Sequence, residues 1–557
     1  MAHRMEHRKK KMNRFKRLCL CFIKLLFLCV LFTGCSDTED GTVTPIIPSH
    51  KEPVFGGNYQ IPLANNPITL DPAHVLGTYG GFVVHQIFDG LVRFDPYLSI
   101  LPALAETWEV KEGKVYNFIL RHNAVFHNQE PVTANDVRFS IQRLLRTEPP
   151  SAVLQHLLKI KGAVEYRNKT RDTLSGFKIE TEKEFSIHLI KPHAPFLAAL
   201  GMYQASIVPE KAVMRLGDAF GRHPVGSGPF RFVSWDDKKA IQLHRFNVYY
   251  GGAAYLDEIL FRIYPGGQNQ AILDDFKNNR LDEMTVFGND QEALAGLNGL
   301  QWIHKPSMSL FFYGINIRHP RLESPGLRNA LSAAIDRHAL VNKVYDGKYQ
   351  VTQTILPPGM TGHQRFDPVK KNLSVFSKNS LKPYVESSPL HRKKLEIEIV
   401  SLVKTPRVEK ELELIQKFWI PLGIIVRPKY ITDWKEFQSY LRSDAVQIYR
   451  YGWHADIPDP DSFLSSLFLS DAAHNFMNLK DEKIDTWLSH AREIIDPIKR
   501  AGIYQKIETE ILAATPIIPL VYMNENRVYQ PHVRSTRISA LGPHTTKLNQ
   551  IWLEPGL

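Results

Sequence analysis

Ile448–Phe463 reads IYRYGWHADIPDPDSF. Strand-forming residues run into Gly452 and Trp453, and a carboxylate, Asp456, follows His454 and Ala455. The chain then enters a Pro-Asp-Pro-Asp turn at Pro458–Asp461. Proline has no N–H for a ladder and biases its predecessor to extended geometry, so the strand must stop there. An aromatic plate, a glycine with accessible backbone and an acid at a strand's end are what the floor of a binding pocket needs. The residue chemistry alone also fits an ordinary turn with a solvated aspartate.

The chain has 557 residues, 43% hydrophobic and 23% charged, which fits a globular protein of several lobes and argues against disorder. The formal charge of +12 is concentrated at one end. Residues 1–34 hold nine Lys/Arg against one Glu, leaving a net +4 for everything after them. That excess is too small and scattered for a nucleic-acid surface. The four cysteines are Cys19, Cys21, Cys29 and Cys35, so the body offers no disulfide, thiolate nucleophile or cysteine zinc site.

Residues 1–17 are basic, and Leu18–Phe32 is apolar except for Lys24. This is the plan of a secretory signal peptide, and the apolar run is short for a membrane span of about 20 residues. Met12 offers an alternative start. Leu31-Phe32-Thr33-Gly34-Cys35 resembles the lipobox of bacterial lipoproteins, with Phe32 where Leu is usual. Plain cleavage or an uncleaved anchor are the alternatives. The resemblance implies a signal peptide over 1–34 and a lipidated Cys35 opening a tether over 35–53. Several acyl chains on that cysteine would hold the protein stably at a membrane.

In the body, Tyr116, Phe118 and Leu120 alternate with polar or exposed neighbours as a half-buried strand, and Phe185, Ile187 and Leu189 repeat the pattern. Thr133 and Asp136 form a capping box for a helix with Val137, Ile141, Leu144 and Leu145 on its apolar face. His122 and His127 read as solvated strand-end histidines rather than metal ligands. Pro224–Phe230 (PVGSGPF) suits a tight crossing of backbone between lobes, and it lacks the GK[ST] ending of a phosphate loop. Ser324-Pro325 starts a helix that Gly347 ends. Leu395–Ser401, the capped helix Pro406–Gly423 and the strand Ile424–Tyr430 make a βαβ unit with a parallel pair.

Several of these stretches resemble one family. The central segment resembles the "gW.aD..dPd.f" pattern of the extracytoplasmic peptide-binding proteins that feed ABC importers, solute-binding family 5. Thr69–Ala73 (TLDPA), Gln86–Leu91 (QIFDGL), Pro102–Arg146, the PVGSGPF loop and Thr354–Gly362 (TILPPGMTG) match it too; Tyr250 stands where the family has Trp, and residues 363–393 match poorly. The resemblance implies an α/β, two-lobed periplasmic-binding-protein-like (type II) fold with an extra α/β domain on the first lobe. Mapped here, lobe one is 54–92, 195–288 and 520–557, the extra domain is 93–194, and lobe two is 289–519. It also implies a monomer that captures a peptide between its lobes and docks on an ABC permease, with no cofactor and no metal.

In that family the aspartate matching Asp456 pairs with the peptide's amino terminus. Gly452 and His454 would offer backbone groups to an extended peptide. Trp434 and Trp453 would wall side-chain pockets, and Arg407, Arg442 and Arg450 are candidates for the peptide carboxylate. No HExxH, G-x-S-x-G or GxGxxG motif points to catalysis, and the Asp456, Asp459, Asp461 spacing is not that of an EF-hand. The alternatives are a binder of a non-peptide solute (a nickel chelate, haem or an oligosaccharide), an extracytoplasmic hydrolase, and a membrane-tethered scaffold without a ligand.

Overall fold

Alternation of apolar residues translates directly into strands. Val115–Leu120 buries Tyr116, Phe118 and Leu120, and Leu395–Ser401 buries Ile397 and Ile399. The structure, a computed structural model, describes residues 52–288, 290–364 and 395–556. Cys35, the signal segment 1–34 and nearly all of the tether lie outside these residues, as does most of the stretch 363–393.

Three sheets carry the architecture. Asn58–Leu63, Glu258–Ile263, Ala240–Arg245 and Phe230–Asp236 form the first lobe's sheet in that order, the first two strands parallel. Helix Gly77–Ile87 packs Phe82, Val83 and Ile87 into the same core. A second sheet orders Ala105–Lys111, Val115–Leu120, Glu184–His188 and Phe177–Ile179, with the helix Ala134–Arg146 starting at the expected capping box. The third has six strands: Gln350–Val351, Ile517–Tyr522, Ser309–Ile315, Ile448–His454, Leu395–Ser401 and Ile424–Tyr430. Its last two are parallel, joined through the helix Pro406–Trp419, with Thr405 as N-cap and Gly423 left-handed beyond it. Ile448 buries into the core on one side of this sheet and Tyr449 into the core on the other.

The lobes are joined by two strands passing side by side from one sheet to the next. Gln301–Pro306 and Asn524–Tyr529 belong to a three-stranded sheet with Glu283–Thr285; Ser309–Ile315 and Ile517–Tyr522 continue them into the six-stranded sheet. At the crossing, the Ser307 N–H and Oγ–H both donate to the Met523 carbonyl at 2.9 Å, and the Met523 N–H donates to Ser309 Oγ at 3.3 Å. This corrects the expectation that Pro224–Phe230 makes the crossing. There, Gly226 and Gly228 press against the end of helix Gly77–Ile87, where a side chain on either would overlap the carbonyl of Ile87 or Gln86. His127 holds that loop: its Nδ1 accepts from the Gly226 N–H (3.3 Å) and its Nε2–H donates to the Gly228 carbonyl (3.0 Å). Its solvated reading is therefore replaced by a half-buried, doubly bonded one, whereas His122 is exposed.

The helix expected from Ser324 to Gly347 is two helices, Pro325–Ala334 and Arg337–Val344. The break has a local cause. Ile335 and Asp336 are extended, and the Asp336 carboxylate accepts from the Ala339 N–H at 2.9 Å, starting a second helix inside the apolar pattern of the first.

Candidate functional site

Strand Ile448–His454 is paired fully on one side and barely on the other. Ser309–Ile315 runs antiparallel along all of it, while Leu395–Ser401 meets only Ile448 and Tyr449. The register fixes which backbone groups face the open side. Ala455 donates to the carbonyl of its opposite residue Met308 (2.8 Å), and Asn316 donates to that of Gln447 (2.9 Å). Hydrogen-bonded pairs alternate in an antiparallel ladder, so Tyr449, Tyr451 and Trp453 bond to Ser309–Ile315. The N–H and C=O groups of Gly452 and His454 therefore point to the unpaired edge, and both residues are exposed.

The acids just beyond this edge meet different fates. Arg500 grips Asp459 with both terminal nitrogens, and also donates to the Tyr504 hydroxyl at 2.7 Å. Arg492 grips Asp461 (2.5 and 3.1 Å), and the Ser465 hydroxyl adds a 2.6 Å bond. Burial alone would raise the Asp461 carboxyl; the charge and hydrogen bonds of Arg492 outweigh it and hold the group down at about 2. The Asp456 backbone N–H donates to Ser462 Oγ at 3.0 Å, but its carboxylate has no partner among the described residues. Desolvation pushes that carboxyl up to about 6. Asp456 keeps open surface while the protein around it thins its water, as befits the wall of an enclosed cleft.

The opposite wall comes from the first lobe. Burial, with a further push from the charge of Asp456, raises the Tyr203 phenol. Burial and the neighbouring His454 lower the His544 imidazole to about 4. The Tyr203 and His544 rings meet edge to face at 5.6 Å. The charges of Asp456 and His454 thus reach Tyr203 and His544 respectively.

The remaining candidates separate. Trp453 is half-buried, its indole N–H donating to the Ser462 carbonyl (2.7 Å) and its ring 4.9 Å from that of His474. Trp434 opens the helix Trp434–Leu441 and is exposed, at one end of an aromatic row through Phe437 and Tyr451. Arg407 is half-buried at the start of helix Pro406–Trp419. Arg442 is exposed, with its guanidinium 5.4 Å from the Phe476 ring and a 3.3 Å bond to the Gln438 carbonyl. Arg450 is corrected as a free cation for a ligand carboxylate. Glu411, fully buried, takes three hydrogen bonds from it at 3.0–3.1 Å, and its guanidinium lies over Phe311. Tyr313 and Tyr345 also donate to Glu411, at 2.6 and 2.5 Å. A signal for this pair stands in the sequence: Glu411 falls on the apolar face of its helix, among Val408, Leu412 and Ile415.

A stability prediction follows from the Asp456 shift. Its folded-state value lies above the ordinary 3.8, so the native protein holds a proton that the unfolded chain releases as pH rises from about 4 to 6. Above pH 6 the ionised group destabilises the empty protein. Asp456→Asn should therefore melt at the same temperature as wild type, or higher, at pH 7, with any advantage vanishing below about pH 4. A lower melting temperature for the variant at pH 7 would show that Asp456 has a stabilising partner.

Residues 99–475 match the family model "Bacterial extracellular solute-binding proteins, family 5 Middle". The chain is 26% identical over 482 residues to the periplasmic oligopeptide-binding protein OppA of Salmonella typhimurium, covering 84% of this chain and 87% of the relative. It is 25% identical over 505 residues to heme-binding protein A of Haemophilus influenzae, covering 86% and 89%. Among solved structures, the ABC transporter-associated periplasmic binding protein DppA from Helicobacter pylori in complex with the peptide STSA shares the fold, with a TM-score of 0.73, 24% identity, and coverage of 90% of this chain and 99% of that one. No helix among the described residues is long and apolar enough to cross a membrane. The two-lobed fold and the match across most of the chain place this protein in family 5 of the bacterial extracellular solute-binding proteins.

Proposed function

We propose that this protein is the receptor of an ABC importer that captures peptides between its lobes and hands them to a permease, breaking no bond. The observation that carries the reading is Asp456, a desolvated carboxylate without a counter-charge, beside the open edge of Gly452 and His454. An extended peptide offers both complements at once. Its backbone continues the sheet, and its terminal ammonium meets the carboxylate. Trp434 and Trp453 suit side-chain pockets on the two sides of that edge, while Arg407 and Arg442 remain the candidates for the far carboxylate. The lobes, 54–92, 195–288 and 520–557 against 289–519, would close about the paired crossings at Ser307 and Met523, with 93–194 as the extra domain. The relative named for heme keeps a second reading in view: a solute without an amino terminus on the same fold, which needs no anion at Asp456.

A double cycle by calorimetry separates the two readings. Removing one partner of a buried charge pair costs about 2–5 kcal/mol, or roughly 30- to several-thousand-fold in affinity. Asp456→Asn should weaken peptide binding on that scale, and acetylating the peptide's amino terminus should do comparable damage to wild type. The acetylated peptide should lose little more on the variant, because both changes remove one interaction. Equal binding of free and acetylated peptides to wild type would rule the peptide reading out.

The reading also places the protein outside the cytoplasm, as a monomer held at a membrane by acyl chains on Cys35. Cys35→Ser should release it from the membrane fraction with peptide binding intact. Retention of the variant in membranes would reject the lipid anchor.

A further inference from the structure

Three deeply placed cations each have an anion: Arg450 with Glu411, Arg527 with Glu283, and Lys547 with Asp89 at 2.8 Å. Desolvation lowers both imidazoles, the buried His544 to about 4 and His454 although its surface stays open to the cleft. On the other side of the ledger stand two carboxylates with no hydrogen bond or ion pair among the described residues. One is Asp456. The second is Glu525.

Glu525 lies in strand Asn524–Tyr529, two residues past the crossing at Met523, and is half-buried. Burial raises the phenols of Tyr79, in helix Gly77–Ile87, and of Tyr349, beside the six-stranded sheet; Arg527 opposes the first shift, Arg407 and Arg450 oppose the second, and the charge of Glu525 adds to both. Glu525 stands beside the crossing, where the strand passes between the three-stranded and six-stranded sheets. The cations nearby are otherwise engaged. Lys305, opposite Glu525 in the ladder, turns its ammonium to the carbonyls of Pro96 and Ile538, at 2.6 and 3.0 Å. Arg527, two residues on, is gripped by the buried Glu283, and feels the charge of Glu525 without bonding to it. Arg407 acts on Tyr349 but makes no ion pair with Glu525.

Glu525 also connects to the site. Its Oε1 and the His544 Nδ1 lie 3.9 and 3.3 Å from the point where a side chain at Gly542 would begin. His544 is 7% exposed, and its Nδ1 has no partner. Its ring touches that of Tyr203, which in turn feels Asp456. One wall thus runs from Glu525 through His544 and Tyr203 to Asp456, two fixed anions with neutral rings between them. Closing that wall over a ligand with a single cation would leave one carboxylate desolvated and uncompensated.

We infer that Glu525 is a specificity-determining residue that receives a lysine or arginine side chain from the ligand whose ammonium pairs with Asp456, so that the receptor selects basic peptides. This rests on the peptide reading above. A second ammonium at Glu525 neutralises what the protein itself does not.

The test is calorimetry with tetra-alanine and with its variants carrying lysine, or uncharged norleucine of similar length, at each of the first three positions. At one position lysine should bind wild type about tenfold or more tightly than norleucine. Glu525→Gln should erase that difference, Glu525→Asp should restore part of it, and urea unfolding should show both variants folded. Equal affinities for lysine and norleucine at every position would overturn the inference, as would a lysine preference that survives in Glu525→Gln. If tetra-alanine binds in an Asp456-dependent way while lysine gives no gain, only this inference fails. If none of the peptides binds wild type, the peptide reading fails with it.

Discussion

Three aspartates within six residues repel one another unless each finds a counter-charge, and the fold supplies counter-charges for only two. Arg500 holds Asp459 and Arg492 holds Asp461, both pairs largely buried and reinforced by the hydroxyls of Tyr504 and Ser465. These bonds pin the turn that follows the site strand. They also leave Asp456 as the one acid of the turn whose charge is unmet, held on a rigid support. A charge-assisted hydrogen bond needs both a fixed geometry and a partner, and the protein provides the first while leaving the second to the ligand.

The open strand edge depends on the same economy of partners. Sheets cover their edges because unpaired backbone groups invite another chain. Here the parallel neighbour Leu395–Ser401 leaves the ladder after Tyr449, and the groups of Gly452 and His454 stay uncovered inside a cleft rather than on the outer surface. In the proposed capture, a change in lobe angle about the paired crossings at Ser307 and Met523 would open or close the edge without breaking either sheet. Tyr203 and His544 show how the first lobe completes the site.

Much of this was legible in the chain because it is local. The end of the site strand follows from Pro458 and Pro460, the βαβ unit from periodicity and the Thr405 cap, and the helix after Thr133 from its capping box. What escaped a linear reading are the choices made in three dimensions. Arg450 looked available at a strand end, but Glu411, from a helix 39 residues away, had claimed it. His127 looked solvated until the glycine loop folded back over it. Tyr203 and His544 reach the site from segments far from Asp456 in the chain, on either side of it, and no spacing announces them. The split at Ile335 and Asp336 is of the other kind: Asp336 is a capping residue in plain view, masked by an apolar pattern that continues through it.

The central claim is electrostatic, and one measurement addresses it without any substitution in the molecule observed. Carboxyl-carbon NMR on protein labelled at aspartate, with the Asp456 resonance assigned from the Asn variant, reports the titration of that group directly. The account predicts a midpoint near pH 6 in the free protein, falling below the ordinary carboxylate value of 3.8 when a peptide with a free amino terminus saturates the site. An Asp456 midpoint that stays near 6 in the saturated complex would contradict it, because the ligand's ammonium would then be held elsewhere.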